Sequence, residues 1–513
     1  MARSREQFAK SVSIPPPIGG WNARDPLDLM DAADAVRLEN VFPSESSVSL
    51  RRGYASHATG MTGYVRTLAE YSDASGSRVL IAAANGSLWN ASVAGAVGAA
   101  LGTGFTEDRW QTVNFRTTAG ASRLIMVNGA DAPQLFNGTA LVGGARPFYT
   151  GIGTESNLIH VCVYKSRLYF CEKNSTSIWY AAADTLTGAL ASYGVGNVMS
   201  KGGYPIFCGT WSRDTGTGAE ELFIVVSNMG EILVYSGLNP GDSSWGLIGR
   251  FYMPAPLGRR AYSQVGPDMV IAHQQGVAPL SDILQLGVIA GANNKLTNKI
   301  STAIAEASQS YGTNQGWQVV YYPKGRYLAI NVPLSTDGNS QQYVCNLLTG
   351  AWCKFTNQNA YAWATFNEDL YFGGANGVVY KADTGYLDDS SAISIDWKQA
   401  FNYFDDRGSV KRILMARPLV VSTDNLRFQL AVDADFQDRV LTTPATITGS
   451  SGSPWDTSPW DTSEWDSASV YSNSWYAITG IGRCFALRVG GSYKNIGWSV
   501  SSMNITYESG GFL

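Results

Sequence analysis

Asp369-Leu370-Tyr371-Phe372-Gly373-Gly374-Ala375-Asn376-Gly377-Val378-Val379-Tyr380 is an apolar run, an Asn-Gly turn, and a second apolar run ending in an aromatic. The phrase recurs. Arg78-Val79-Leu80-Ile81-Ala82-Ala83-Ala84-Asn85-Gly86-Ser87-Leu88-Trp89-Asn90 is a cleaner copy. Others run from Arg123 to Phe136, Arg167 to Tyr180, Glu221 to Tyr235 and Arg326 to Cys345, with a weaker one from Asp268 to Leu284. Asn-Gly between apolar runs favours a hairpin because both turn residues accept positive φ. Repetition at roughly 40–50 residues with two or more strands per unit is the sequence sign of a β-propeller blade. Seven copies are counted.

Working outward, the repeats occupy residues 59–385. A preceding segment, 1–58, and a following one, 386–513, complete the 513 residues. The expected fold is mainly β: an irregular β-propeller with an N-terminal arm and a C-terminal β-sandwich-like domain. One inserted helix is expected at about 291–312, where Leu296, Ile300, Ala303, Ile304 and Ala307 fall at helical spacing. The arm holds an extended Pro15-Pro16-Pro17 and an alternating Ser47–Tyr54 strand. That strand is placed to join the last blade and close the ring, leaving no free sheet edge. In the last segment Ile393, Ile395 and Trp397 alternate with polar residues, as do Leu426, Phe428, Leu430 and Val432, the pattern of a half-buried sandwich strand.

Charged residues are only 15% of the chain, with 55 glycines and 12% aromatics. This suits a turn-rich β protein and excludes a disordered one. The low charge also suggests surface buried against other copies or partners. The formal net charge is −4 and no basic run resembles a nucleic-acid arm. Met1 to Ile14 has no apolar signal core, and Ala91 to Leu101 is too short to span a membrane, so synthesis in the cytoplasm with no membrane span is expected.

Chemistry-bearing motifs are sparse. Cys162, Cys171, Cys208, Cys345, Cys353 and Cys484 lack ligand spacing, and His57, His160 and His273 sit in no metal motif. They read as buried thiols and structural imidazoles, with no metal or cofactor expected. Asp405-Asp406 and Asp433 with Asp435 are carboxylate pairs, but spacing alone does not make a glycosidase, and no enzyme is expected. Two features point to contacts. Residues 454–466 repeat Trp-Asp every five residues, presenting Trp455, Trp460 and Trp465 on an extended loop. Those indoles can pack on their own domain, anchor a neighbouring subunit, or stack on a sugar. Arg51, Arg52, Arg259 and Arg260 form isolated basic pairs, read either as strand-end residues or as contacts to a ligand or an acidic patch on another subunit.

The opening Ile18-Gly19-Gly20-Trp21-Asn22-Ala23-Arg24-Asp25-Pro26-Leu27, then Asp34 to Pro43, then Leu50-Arg51-Arg52-Gly53-Tyr54, resembles the N-terminus of tail nozzle proteins (tail tubular protein B-like) of short-tailed bacteriophages. The blade phrases, the Trp-Asp loop, Phe401-Asn402-Tyr403 and Asn504-Ile505-Thr506-Tyr507-Glu508 look similar to the same group. The resemblance implies a structural virion protein, six copies forming a ring below the tail adaptor. That ring would be the distal conduit and gate through which genomic double-stranded DNA is retained and ejected without sequence recognition. It implies adaptor ring proteins and tail fibres as partners, and no catalytic residues. A propeller that binds a host glycan or receptor is the alternative.

Overall fold

Asn85 and Gly86 adopt φ of 49° and 71°, so the strands Arg78–Ala84 and Ser87–Asn90 pair directly across a two-residue turn. Asn367 and Glu368 make the same kind of turn between Ala362–Phe366 and Asp369–Gly373. Lys165 and Ser166 do so between Leu158–Tyr164 and Arg167–Glu172 with no glycine at all. There the strand pairing overrides local preference. The computed structural model describes residues 9–144, 146–214, 219–286, 296–336, 338–439, 441, 446–448 and 470–510.

Each of the seven phrases lies in its own blade of antiparallel strands. The sheets begin at Val65–Ser72, Gln111–Arg116, Leu158–Tyr164, Pro205–Asp214, Tyr262–Val265, Gln318–Tyr322 and Ala362–Phe366. Each sheet contacts the next in chain order, and the seventh returns to touch the first, closing a ring. Every blade is therefore covered on both faces, which is why Arg78–Ala84 is apolar almost throughout and buried after its first residue. The buried side chains divide into clusters that lie between successive blades. Tyr71, Ile81 and Leu88 of the first blade meet Leu124, Met126 and Phe136 of the second. Leu68 and Leu80 meet Phe366 and Tyr371 across the seam between the first blade and the seventh.

The chain start seals that seam. Tyr54–Thr59 pairs antiparallel with Val379–Ala382, so the outer strand of the seventh blade comes from the N-terminal side. The closure was expected from Ser47–Tyr54, one strand too early. Val48–Leu50 instead pairs with Val41–Pro43 and with Trp498–Ser509, because Val48 and Leu50 are buried in the sandwich core.

The sandwich draws on both ends of the chain. Lys10–Ile14 pairs with Trp498–Ser509, and Asp34–Glu39 pairs with Ile393–Gln399. Residues 386–513 thus lack a complete fold without the arm. Asp34–Glu39 also meets Trp352–Phe355 of the sixth blade, so one ten-stranded sheet runs from propeller into sandwich. Trp397, Phe428, Tyr493 and Trp498 fill the space between the two layers.

Ser301–Tyr311, preceded by a 3-10 turn at Asn298–Ile300, is the expected helix. Ile300, Ala303, Ile304 and Ala307 pack on the fifth and sixth blades. A second short helix, Leu280–Leu286, was expected to be strand through Ile283 and Leu284. Pro279 ends the preceding strand, and Leu280 and Ile283, three apart, both turn into the core shared by the fourth and fifth blades. Among the described residues no helix is long and apolar enough to cross a membrane.

Candidate functional site

Blade geometry gathers the starts of the first strands and the ends of the second strands around one mouth of the ring. A cavity of about 850 Å³ lies there, and every blade contributes to it, through residues such as Arg66, Gln111, Lys173, Ile206, Trp317 and Tyr361. Its charge is lopsided. Arg66, Arg109, Lys173, Arg259 and Arg260 line it, against the single carboxylate of Glu107. Glu107 is taken by Arg109, whose Nε lies 2.9 Å from it.

The other arginines have no carboxylate partner among the described residues. Arg260 donates to the carbonyls of Arg66 and Trp110 at 2.9 and 2.8 Å and to Thr67 Oγ1 at 2.7 Å. It ties the segment before the fifth blade to the first and second blades. Arg259 donates to the carbonyl of Asn128 at 3.2 Å. Burial, then repulsion from Arg109, pushes the Arg260 guanidinium down to about 10. Burial lowers Arg259 as well. A cavity holding unmatched cations favours an anion, and its size suits a small molecule.

Of the residues singled out in the sequence, Arg259 and Arg260 reach this cavity. Both line it at the mouth of the ring, the position of a ligand contact. Arg51 lies elsewhere and is buried. Its guanidinium bonds both oxygens of Asp388 at 2.8 and 2.6 Å, Asn40 Oδ1 at 2.7 Å and the Thr356 carbonyl at 2.9 Å. Its side chain is fully buried, so Arg51 acts as an internal strut. Arg52 is exposed and lies over the Tyr386 ring at 4.4 Å. Trp455, Trp460 and Trp465 fall outside the described residues.

Three of the four paired carboxylates are held by contacts within the fold. Asp406 caps the Gly408–Ser409 turn, buried Asp433 pairs with Lys398 at 2.9 Å, and Asp435 accepts the backbone amides of Arg483 and Cys484. His57 contacts the Ala91 carbonyl, and burial lowers its pKa. Burial takes His273 down to about 4, so it is neutral near neutral pH. His160 is buried beside Cys171 and Cys208.

Sequence reading missed Arg66, Arg109 and Lys173. Their common signal is position: each stands beside the end of a blade strand at the same mouth of the ring.

No protein-family model and no curated protein matches this chain. Among solved structures, the crystal structure of BBS1N in complex with ARL6DN, soaked with mercury, is similar at 10% identity, covering 66% of this chain and 99% of that one, with a TM-score of 0.39. The lead-soaked crystal of the same complex gives 11% identity, 65% and 98% coverage and a TM-score of 0.38. The propeller assignment rests on the strand pairing and ring closure described above.

Proposed function

We propose that this chain is a structural virion protein, one of six copies in a ring that forms the distal nozzle of a short bacteriophage tail. The observation that carries this reading beyond the sequence resemblance is the outer face of the sandwich. Tyr471, Ile481, Trp475 and Met415 are 81, 67, 40 and 39% exposed. Strand pairing sets them along Lys411–Ser422: Ile481 opposite Arg412, Tyr471 opposite Val421, and Trp475 under Arg417 at 4.7 Å. A row of large apolar side chains on one sheet face is the surface an obligate partner covers. In a ring the interface is heterologous and closes on itself. Adaptor ring proteins would seat above the ring and tail fibres beside it. The axial cavity of one propeller is sized for a small molecule, so the DNA path would run between copies and not through a blade ring.

The test is Tyr471→Ser with Trp475→Ser. The variant is expected to unfold like the parent and to lose the ring, measured by mass photometry with adaptor protein present. Ring formation at the parental concentration counts against the reading. The unpaired cations of the axial cavity favour a second reading, a propeller that binds an acidic host glycan. Glycan-array binding lost on Arg66→Ala in a chain that forms no ring would favour it.

A further inference from the structure

His160 and Cys171 are direct cross-strand partners in the third blade, so their side chains leave the same face. Cys162, two residues along from His160, shares that face. The face looks at the first strand of the fourth blade, where Cys208 sits. The donor atoms of His160, Cys171 and Cys208 all lie within 4.8 Å of one another, and all three residues are buried. His160 Nδ1 is 3.7 Å from Cys208 Sγ, and Cys162 Sγ is 2.9 Å from Cys208 Sγ.

From this convergence we propose that His160, Cys171 and Cys208, with Cys162 as fourth ligand, bind one zinc ion that clamps the third blade to the fourth. Zinc bonds of about 2.3 Å to sulfur and 2.0–2.1 Å to nitrogen place tetrahedral ligand atoms roughly 3.5–3.8 Å apart. The 3.7 Å between His160 Nδ1 and Cys208 Sγ matches, while Cys162, outside the three-residue group and 2.9 Å from Cys208 Sγ, would turn its sulfur to complete the tetrahedron. The donor set is soft and has no oxygen ligand, which disfavours calcium and magnesium. The enclosure suits a closed structural site, with no position left for substrate.

The surroundings fit. His160 Nε2 lies 2.8 Å from the Tyr262 hydroxyl, the outer hydrogen bond that orients a ligating imidazole and turns Nδ1 toward the sulfurs. Nδ1 now faces the Cys208 amide at 3.4 Å and the Cys208 sulfur at 3.7 Å, long contacts that a metal would replace. Three thiolates and one imidazole on a divalent ion carry one net negative charge. Arg259, whose charge acts on both His160 and Cys171, offsets it.

The test uses the full chain, expressed with added zinc and purified without chelator. Elemental analysis is expected to give one zinc per chain. Cobalt exchange should give the thiolate charge-transfer and tetrahedral bands of a sulfur-rich site. Cys171→Ser and Cys208→Ser should each lower metal content at least tenfold, while Cys353→Ser should keep it. Because a core variant can fail to fold, the parental protein is also melted with and without a zinc chelator, which should lower its Tm. Folded parental protein holding no zinc overturns the site, as does zinc retained in the Cys171→Ser/Cys208→Ser variant. A Cys162–Cys208 disulfide found by thiol mapping also overturns it. Unchanged affinity in Cys162→Ser removes Cys162 from the ligand set.

Discussion

The propeller and the sandwich both bury sheet faces, but they recruit their strands differently. A blade is built from neighbours in sequence: the whole second blade runs from Gln111 to Phe136. The sandwich joins Lys10 to Tyr507 and Ala35 to Gln399. One region forms local hairpins, and the other must close nearly the whole chain before its contacts reward it. Tyr54–Thr59 binds the two regions together, because the strand that completes the seventh blade follows directly on those that complete the sandwich.

Cutting the shared segment should have the largest effect. A chain starting at Gly60 loses the closing strand and every N-terminal strand of the sandwich. It is expected to show no cooperative thermal transition by circular dichroism. A chain starting at Pro15 loses only Lys10–Ile14 and should keep one transition with a lower midpoint. If the shorter chain melts cooperatively, the two regions are independent.

Arg51 sharpens the same junction. It links Asn40, Asp388 and Thr356 from arm, linker and propeller. Arg51→Met leaves the Asp388 carboxylate buried and unpaired and should cost about 3–5 kcal/mol in urea denaturation. Arg52→Met, on the exposed neighbour, should stay within about 0.5 kcal/mol. Arg51→Met/Asp388→Leu should recover much of the loss, since no uncompensated charge remains.

Two glycines of like backbone probe packing at the seam. Gly377 and Gly76 both have positive φ, 66° and 85°. A Cβ on Gly377 would lie 2.1 Å from the Met61 backbone, between the seventh blade and the first, while one on Gly76 meets nothing within 4 Å. Gly377→Ala should cost about 3 kcal/mol, through overpacking against main chain. Gly76→Ala should cost about 1 kcal/mol from backbone strain alone.

The last effect is a pH slope inside the propeller. His273 is held down to about 4 by burial, against about 6.5 unfolded. Between those values the unfolded chain binds the proton and the folded chain does not. Stability from this group is therefore complete above pH 6.5 and falls as the pH drops toward 4, by up to about 1.4 kcal/mol per pH unit. His273→Gln should remove its share of that slope in urea titrations at pH 4.5 and 6.5, leaving the share of His160, which burial also holds low.

The same contrast explains what was legible in the sequence. Asn85-Gly86 and Asn376-Gly377 mark hairpins because turn chemistry and both strands are adjacent, and all seven phrases lie in blades. The sandwich was legible as alternating strands such as Ile393–Gln399, but not as a partner of Lys10–Ile14, since pairing register carries no local mark. Arg66, Arg109, Arg259 and Arg260 come from separate blade ends, so their cavity exists only after ring closure. His160 and Cys171 were close in sequence, but only the strand register and the neighbouring blade bring Cys208 to them.

The most direct test of the nozzle reading is cryo-electron microscopy of the protein assembled with its neighbouring tail components. The account predicts a closed sixfold ring with the Tyr471–Trp475 sandwich face buried between copies and an axial opening wide enough for duplex DNA. Monomers or trimers that never join a ring, with that face left in solvent, would contradict it.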